Sequence, residues 1–184
     1  QAVVEGATLS QYAFRAHKSD GPSSSRRQVE ALTLVEAADD RVQAVRHGAR
    51  VGQATAAGAW LARDLGNHPA NTATPAYLAD VADGIADRHG MRLDVWERDR
   101  IVAEGMGAFA SVAAGSVEPP RFLVLEHAPP AAAEAAPYVL VGKGITFDTG
   151  GISLKPSLRM GRMKFDMCGA AAVLGAMETV GRLG

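Results

Sequence analysis

Residues Asp40 to Leu65 read DRVQAVRHGARVGQATAAGAWLARDL, 26 positions without a proline. An alanine-rich, proline-free stretch of that length favours a single α-helix. Val42, Val45, Ala49, Gly52, Ala56, Ala59 and Leu61 or Ala62 mark an approximately helical apolar stripe. At the usual rise per residue such a helix spans roughly 39 Å. With small residues on its inner face it can bridge two domains or pack closely in a subunit interface. An ordinary surface helix fits the pattern equally well.

The remaining segments arrange themselves around it. The first 25 or so residues end in KSDGPSSSRR, a polar, Gly/Ser-rich loop, and QVEALTLVE (Gln28–Glu36) suits a strand. After the long helix, Thr74 predicts an N-cap, Pro75 the first helical position and Gly90 the C-cap of a second helix. Then come MRLDVW (Met91–Trp96), a short helix near Asp99–Glu104 and the apolar run AFASVA (Ala108–Ala113). RFLVLEH (Arg121–His127) and YVLVG (Tyr138–Gly142) are nearly continuous apolar runs, as in strands buried on both faces. APPAAAEAAP (Ala128–Pro137) reads as a low-complexity connection between them, and Met167–Leu183 as a final Ala/Gly-rich helix. Strands alternating with helices predict an α/β fold, with a mixed, largely parallel sheet flanked by helices.

Charge and cysteine usage narrow the function classes. A net charge of −1 gives no bulk electrostatic reason to bind nucleic acid or a membrane surface. The apolar runs are too short and interrupted for a transmembrane helix or a secretory signal. Cys168 is the single cysteine, so no intrachain disulfide can form, and the chain fits a reducing cytoplasm.

Lysine is rare: Lys18, Lys143, Lys155 and Lys164 stand against fifteen arginines among 19 basic residues. Three of the four fall between positions 143 and 164, where a neutral amine or a compact charge is therefore wanted. Lys143 and Lys155 flank Asp148, five residues before it and seven after, in VGKGITFDTGGISLKPS (Val141–Ser157). Asp148-Thr149-Gly150 resembles the aspartic-protease loop, but that chemistry needs two aspartates sharing a proton in a β-rich scaffold. A phosphate-binding P-loop fails as well. Lys143 is followed by Gly144, and Pro137 stands where the first glycine belongs. Two readings stay open: a structural ion pair between Asp148 and a lysine, and a metal site. Asp166, in MKFDMCG, could close on the same ion. The histidines His17, His47, His68, His89 and His127 are scattered, and each reads as a surface or helix-end residue rather than a ligand.

VGKGITFDTGGISLKPS followed by MKFDMCGAAAVLGAM resembles the metal-binding half of the cytosolic leucyl aminopeptidase family, dimetal peptidases of the zinc or manganese type. The likeness extends back through GSVEPPRFLVLEH and LARDLGNHPANTATPAYLA to about residue 50, and EGATLSQYAFRAHKS resembles the end of that family's separate N-terminal α/β domain. The resemblance implies three parts: residues 1–38 as the tail of that domain, 39–66 as a linking helix and 67–184 as the first part of the dimetal peptidase domain. It implies release of N-terminal, preferentially apolar residues from peptides by attack of a metal-bound hydroxide. Lys143, Asp148 and Asp166 would be metal ligands for two divalent ions, zinc or manganese, with Asp148 bridging both. Lys155 would be the catalytic, unliganded cation that polarises the scissile carbonyl. Lys155, Met163, Asp148 and Asp166 would bound the substrate, with Met163 beside its first side chain, and Lys164 would be a neighbour only.

The same resemblance implies peptide partners with a free N-terminus and a cytoplasmic homo-hexamer, with no membrane partner. The family's later Asn-Thr-Asp-Ala-Glu-Gly-Arg motif, which finishes the metal shells, does not occur before Gly184. An internal piece of a longer enzyme is therefore expected. An inactive fragment, or a DNA-binding or architectural relative, is the alternative.

Overall fold

The computed structural model describes residues 1–19, 29–129 and 136–184. Helix α1 (Ala2–Ser10) is followed, after a 3-10 turn at Asp39–Arg41, by α2 (Val42–Asn67). Next come α3 (Pro75–His89), β1 (Arg92–Trp96), the short helices α4 (Arg98–Ala103) and α5 (Gly107–Val112), and β2 (Phe122–Glu126). A 3-10 helix at Met160–Met167 leads directly into α6 (Cys168–Leu183).

The expected long helix is present within two residues at each end. Its α3 neighbour starts where its caps predict: Thr74 Oγ1 accepts from the Tyr77 amide at 3.2 Å, and Pro75 occupies the first turn. Gly90 ends α3 in the left-handed region at φ 64°, where a side chain would be strained.

The sheet differs from expectation. Among the described residues it has two strands, and they are antiparallel, with Leu93 opposite Leu125 and Val95 opposite Leu123. Helices α4 and α5, six residues each, are only about 9 Å long. They turn the chain around rather than carrying it back to the start of β1, which a parallel crossover requires. The apolar run at 108–113 is thus largely helical.

Two expected strands are not strands. Residues 29–36 take no regular structure, and Val29, Leu32, Leu34 and Val35 all face solvent. Residues 138–142 likewise pair with nothing among the described residues, leaving Tyr138 fully exposed and Val141 89% exposed. Apolar composition favours a strand only where a neighbouring strand accepts its backbone. The expected connection at 128–137 and the loop at 18–27 fall largely on positions outside the described residues, as does Gln28.

The core is a helical layer over the hairpin-like sheet. Leu65, Leu78, Ala82, Ile85, Ala86, Met91, Met167, Ala171 and Leu174 form its buried centre, with Leu93, Leu123 and Leu125 packed from the strands. Leu65, Ile85 and Met167 are fully buried, each stabilising the fold by about 1.5–3 kcal/mol. Helix α2 works on two faces. Its first half takes α1 at Gly48 and Gly52, and its second half takes α6. At the second crossing the backbones touch: a Cβ on Gly58 would overlap the Gly175 carbonyl and the Thr179 hydroxyl, and one on Gly175 would overlap the Gly58 carbonyl. Thr179 Oγ1 also donates to Ala54 O at 3.2 Å across the helix pair.

A buried carboxylate ties α3 to α6. Glu178, 4% exposed, receives Arg88 at 3.0 Å, His89 at 3.1 Å and Arg182 at 2.7 Å. Burial pushes its acidity the other way, but the three donors together win and hold its pKa below the ordinary glutamate range.

Two outcomes are expected in the intact protein. Gly58→Ala and Gly175→Ala should each lower stability by about 1–3 kcal/mol, read as a reduced urea midpoint at unchanged slope. Because Glu178 binds its proton more weakly folded than unfolded, its contribution is present above the unfolded pKa and is lost as pH falls through the folded one. Glu178→Gln should cost about 1–3 kcal/mol at neutral pH, and the gap to wild type should close in acid denaturation series.

Candidate functional site

Both flanking lysines of the aspartate loop are drawn into pairs, but with different aspartates. Lys155 Nζ lies 2.9 Å from Asp148 Oδ2, and Lys143 Nζ lies 2.7 Å from Asp166 Oδ1. The loop holds Asp148 from its other side: the Gly150 amide donates to Oδ1 at 2.8 Å, and Gly150 reaches that position with φ 93°. The Lys155 amide closes the turn onto Thr149 O at 2.9 Å. Lys155 first and the Gly150 amide second hold the Asp148 carboxyl below the usual carboxylate range, and the Lys143 charge adds to this. Asp148 is therefore an anion at neutral pH.

The loop is seated on the start of α6. The Ala170 amide donates to Lys143 O at 2.8 Å, and Gly142 and Gly169 bring the two backbones into direct contact. A Cβ on Gly169 would stand 2.7 Å from the Lys143 nitrogen. The 3-10 helix that carries Asp166 is tied in turn to the end of α2, where Lys164 Nζ donates to Asn67 O at 2.8 Å. Lys164 thus links the 3-10 helix to α2 and stands outside both lysine–aspartate pairs. Sequence pattern alone could not assign it, because its partner is a backbone carbonyl 97 positions away. Met163 is half-buried on the same 3-10 helix and stands outside the polar pairs.

The donor set suits a divalent cation. Two lysine–aspartate pairs supply the donors, and among the described residues Asp166 Oδ2 is buried with no hydrogen-bond partner. A buried carboxylate oxygen left alone is costly, and a cation would satisfy it. The set is also short of a full shell. Among the described residues no three His, Cys, Asp or Glu side chains gather in one place. A cavity of about 330 Å³ lies on the α2 side of Asp166, lined by Ala62, Arg63, Gly66, Asn67, Phe165 and Cys168. It does not include the loop lysines or Asp148.

With this geometry in place, comparison with known proteins decides the family. The model of the cytosol aminopeptidase family, catalytic domain, matches residues 60–184. The chain belongs to the cytosol aminopeptidase family. Curated relatives named probable cytosol aminopeptidase include one from Methylobacillus flagellatus, 45% identical over 98% of the chain and 36% of its own length. Another, from Cupriavidus metallidurans, is 49% identical over 92% of the chain and 33% of its own length. A Burkholderia mallei relative is 50% identical over 94% and 34% respectively. The chain thus spans about a third of the family members it matches. Among solved structures it is similar to the bottromycin maturation enzyme BotP in complex with Mn. That match has TM-score 0.77 and 36% identity, covering all of this chain and 36% of that one. Among the described residues no helix is long and apolar enough to cross a membrane.

Lys164→Met should cost about 1 kcal/mol of local stability and leave the global midpoint nearly unchanged. Hydrogen exchange of the amides at 160–167 should accelerate relative to those of α6, which checks the tie to Asn67.

Proposed function

We propose that the intact protein is a metal-dependent aminopeptidase that releases N-terminal, preferentially apolar residues from peptides. In this reading residues 67–184 are the first part of its catalytic domain, 39–66 its linking helix and 1–38 the tail of an N-terminal domain. What supports it is membership of this family together with two lysine–aspartate pairs, Lys143–Asp166 and Lys155–Asp148, on the segments that meet the start of α6, one Asp166 oxygen being without a partner among the described residues. The segments that complete the sheet beside residues 138–142 would come from the remaining two thirds of the relatives' length. That would cover the exposed Tyr138, Val139, Leu140 and Val141.

Lys143, Asp148 and Asp166 would hold two divalent ions of the zinc or manganese class, and one structural neighbour was solved in complex with Mn. The ions, when bound, would polarise the peptide carbonyl and make water a stronger nucleophile. Lys143 would serve in such a shell only as the neutral amine, its proton released to solvent and its hydrogen bond to Asp166 given up. Asp148 already stands as an anion and would bridge. Lys155, released from Asp148, would donate to the oxygen on which charge develops, a role for a fixed cation in a partly enclosed site. Met163 would face the first side chain of the substrate. The intact protein would act on peptides with a free N-terminus, as a homo-hexamer in the cytoplasm.

The test separates the two lysines by metal content and turnover in the intact enzyme. Lys143→Arg should lose metal and activity together, because guanidinium offers no lone pair. Lys155→Ala should keep its metal and its fold while turnover falls by about 100- to 1,000-fold. Asp148→Asn should be the most damaging of the three. Loss of metal in Lys155→Ala with retention in Lys143→Arg would reverse the roles, and no effect in either would leave the pairs purely structural.

A further inference from the structure

After α1 the chain continues along α2 toward its C-terminal end, and aromatic rings fix its path. Tyr12 donates to Asp64 Oδ1 at 2.8 Å and accepts from Asn67 Nδ2 at 3.0 Å, with its ring tilted against Trp60. Phe14 then stands edge-on to His68 at 5.0 Å and close to His17 at 5.8 Å. His68, the first residue past α2, is held from its other side by Tyr77 at 5.6 Å. The result is that His17 Nε2 and His68 Nδ1 lie 3.1 Å apart, 51 positions apart in sequence.

That distance has two chemical meanings. One is a hydrogen bond between neutral rings. The other is a chelate, since two imidazole nitrogens bound at about 2.0–2.1 Å with an angle of 90–109° stand about 2.9–3.4 Å from each other. We propose that His17 and His68 form a second, imidazole-based site for a borderline divalent transition ion of the zinc, nickel or copper class. It shares no residue with Lys143, Asp148 or Asp166. Its effect is to staple the segment after α1 onto the end of α2.

The surroundings keep the His68 ring in its neutral, ligating form. Burial first, then the facing charges of His17 and Lys164, hold the His68 pKa below the ordinary histidine value, with Asp64 opposing. The ring therefore presents a lone pair at neutral pH. His17 is exposed, so its ring can turn toward an ion and solvent can fill the remaining positions. The ring contacts of Phe14 and Tyr77 keep His68 in place while this happens. Borderline ions prefer imidazole, whereas the lysine–aspartate cluster offers mostly hard oxygen donors.

The experiment is Cu²⁺ titration of the intact protein, followed by electron paramagnetic resonance, in wild type, His17→Gln, His68→Gln and Asp148→Asn. Wild type should take up one equivalent whose spectrum shows coupling to two imidazole nitrogens. That equivalent should vanish in His17→Gln and His68→Gln and persist in Asp148→Asn. An unchanged two-nitrogen signal in His17→Gln, or its absence from wild type, would overturn the proposal. Loss in Asp148→Asn with retention in the histidine variants would overturn it as well, by placing the ion at the other cluster. His17 is exposed and its replacement should leave the circular dichroism unaltered, so that variant decides the matter even if His68→Gln fails to fold.

Discussion

The crossing of α2 and α6 at Gly58 and Gly175 is the contact from which the other positions follow. Backbone meets backbone there, so the two helices sit closer than side chains would allow. Interiors are packed densely enough that such a contact is stiff rather than adjustable. Helix α6 extends directly from the 3-10 helix of Asp166, and α2 ends at the Asn67 carbonyl that receives Lys164. The separation of the two helices therefore sets where Asp166 stands. The loop of Lys143 and Asp148 is then placed by resting its own backbone on Gly169 and Ala170.

Electrostatics divide the molecule into two kinds of ion cluster. Around Glu178 one nearly inaccessible carboxylate meets three donors, two of them on half-exposed arginines. Both of its oxygens receive donors, and the cluster acts as a joint between α3 and α6. Around Asp148 and Asp166 each carboxylate meets one lysine, in a loop with apolar neighbours such as Ile152 and Leu154 turned to solvent. Here one buried oxygen has no partner among the described residues. A satisfied network rigidifies a fold, and an unsatisfied one leaves a polar atom that a water or an ion can serve.

Much of this was legible from the amino acids. The 26-residue helix followed from its length and lack of proline, and α3 from Thr74, Pro75 and Gly90, because local caps and periodicity determine those features. The aspartate loop was legible from the rarity of lysine and the joint spacing of Lys143, Asp148, Lys155 and Asp166. The runs at 91–96 and 121–127 contain strands, as expected, because each has the other to pair with; what failed depends on a neighbour that the described residues do not supply. The runs at 29–36 and 138–142 have strand composition but no strand beside them, and composition carries no information about pairing. Strand direction was missed because it depends on how far α4 and α5 carry the chain. The pairing of Lys155 with Asp148 and of Lys143 with Asp166 was open for the same reason. His17 and His68, too distant in sequence to suggest each other, meet directly at 3.1 Å, with Phe14 packed against both rings and Tyr77 against His68.

The seat of the loop on α6 has an evolutionary consequence. Where two side chains collide, a protein can usually accommodate growth in one by shrinkage in the other. At Gly142 and Gly169 neither partner has a side chain to give up, and what a new Cβ would strike is main chain at 2.5–2.7 Å. No second substitution can restore the space. Drift at these two positions is closed in both directions, while Ile152, turned to solvent nearby in the sequence, can vary without disturbing the seat.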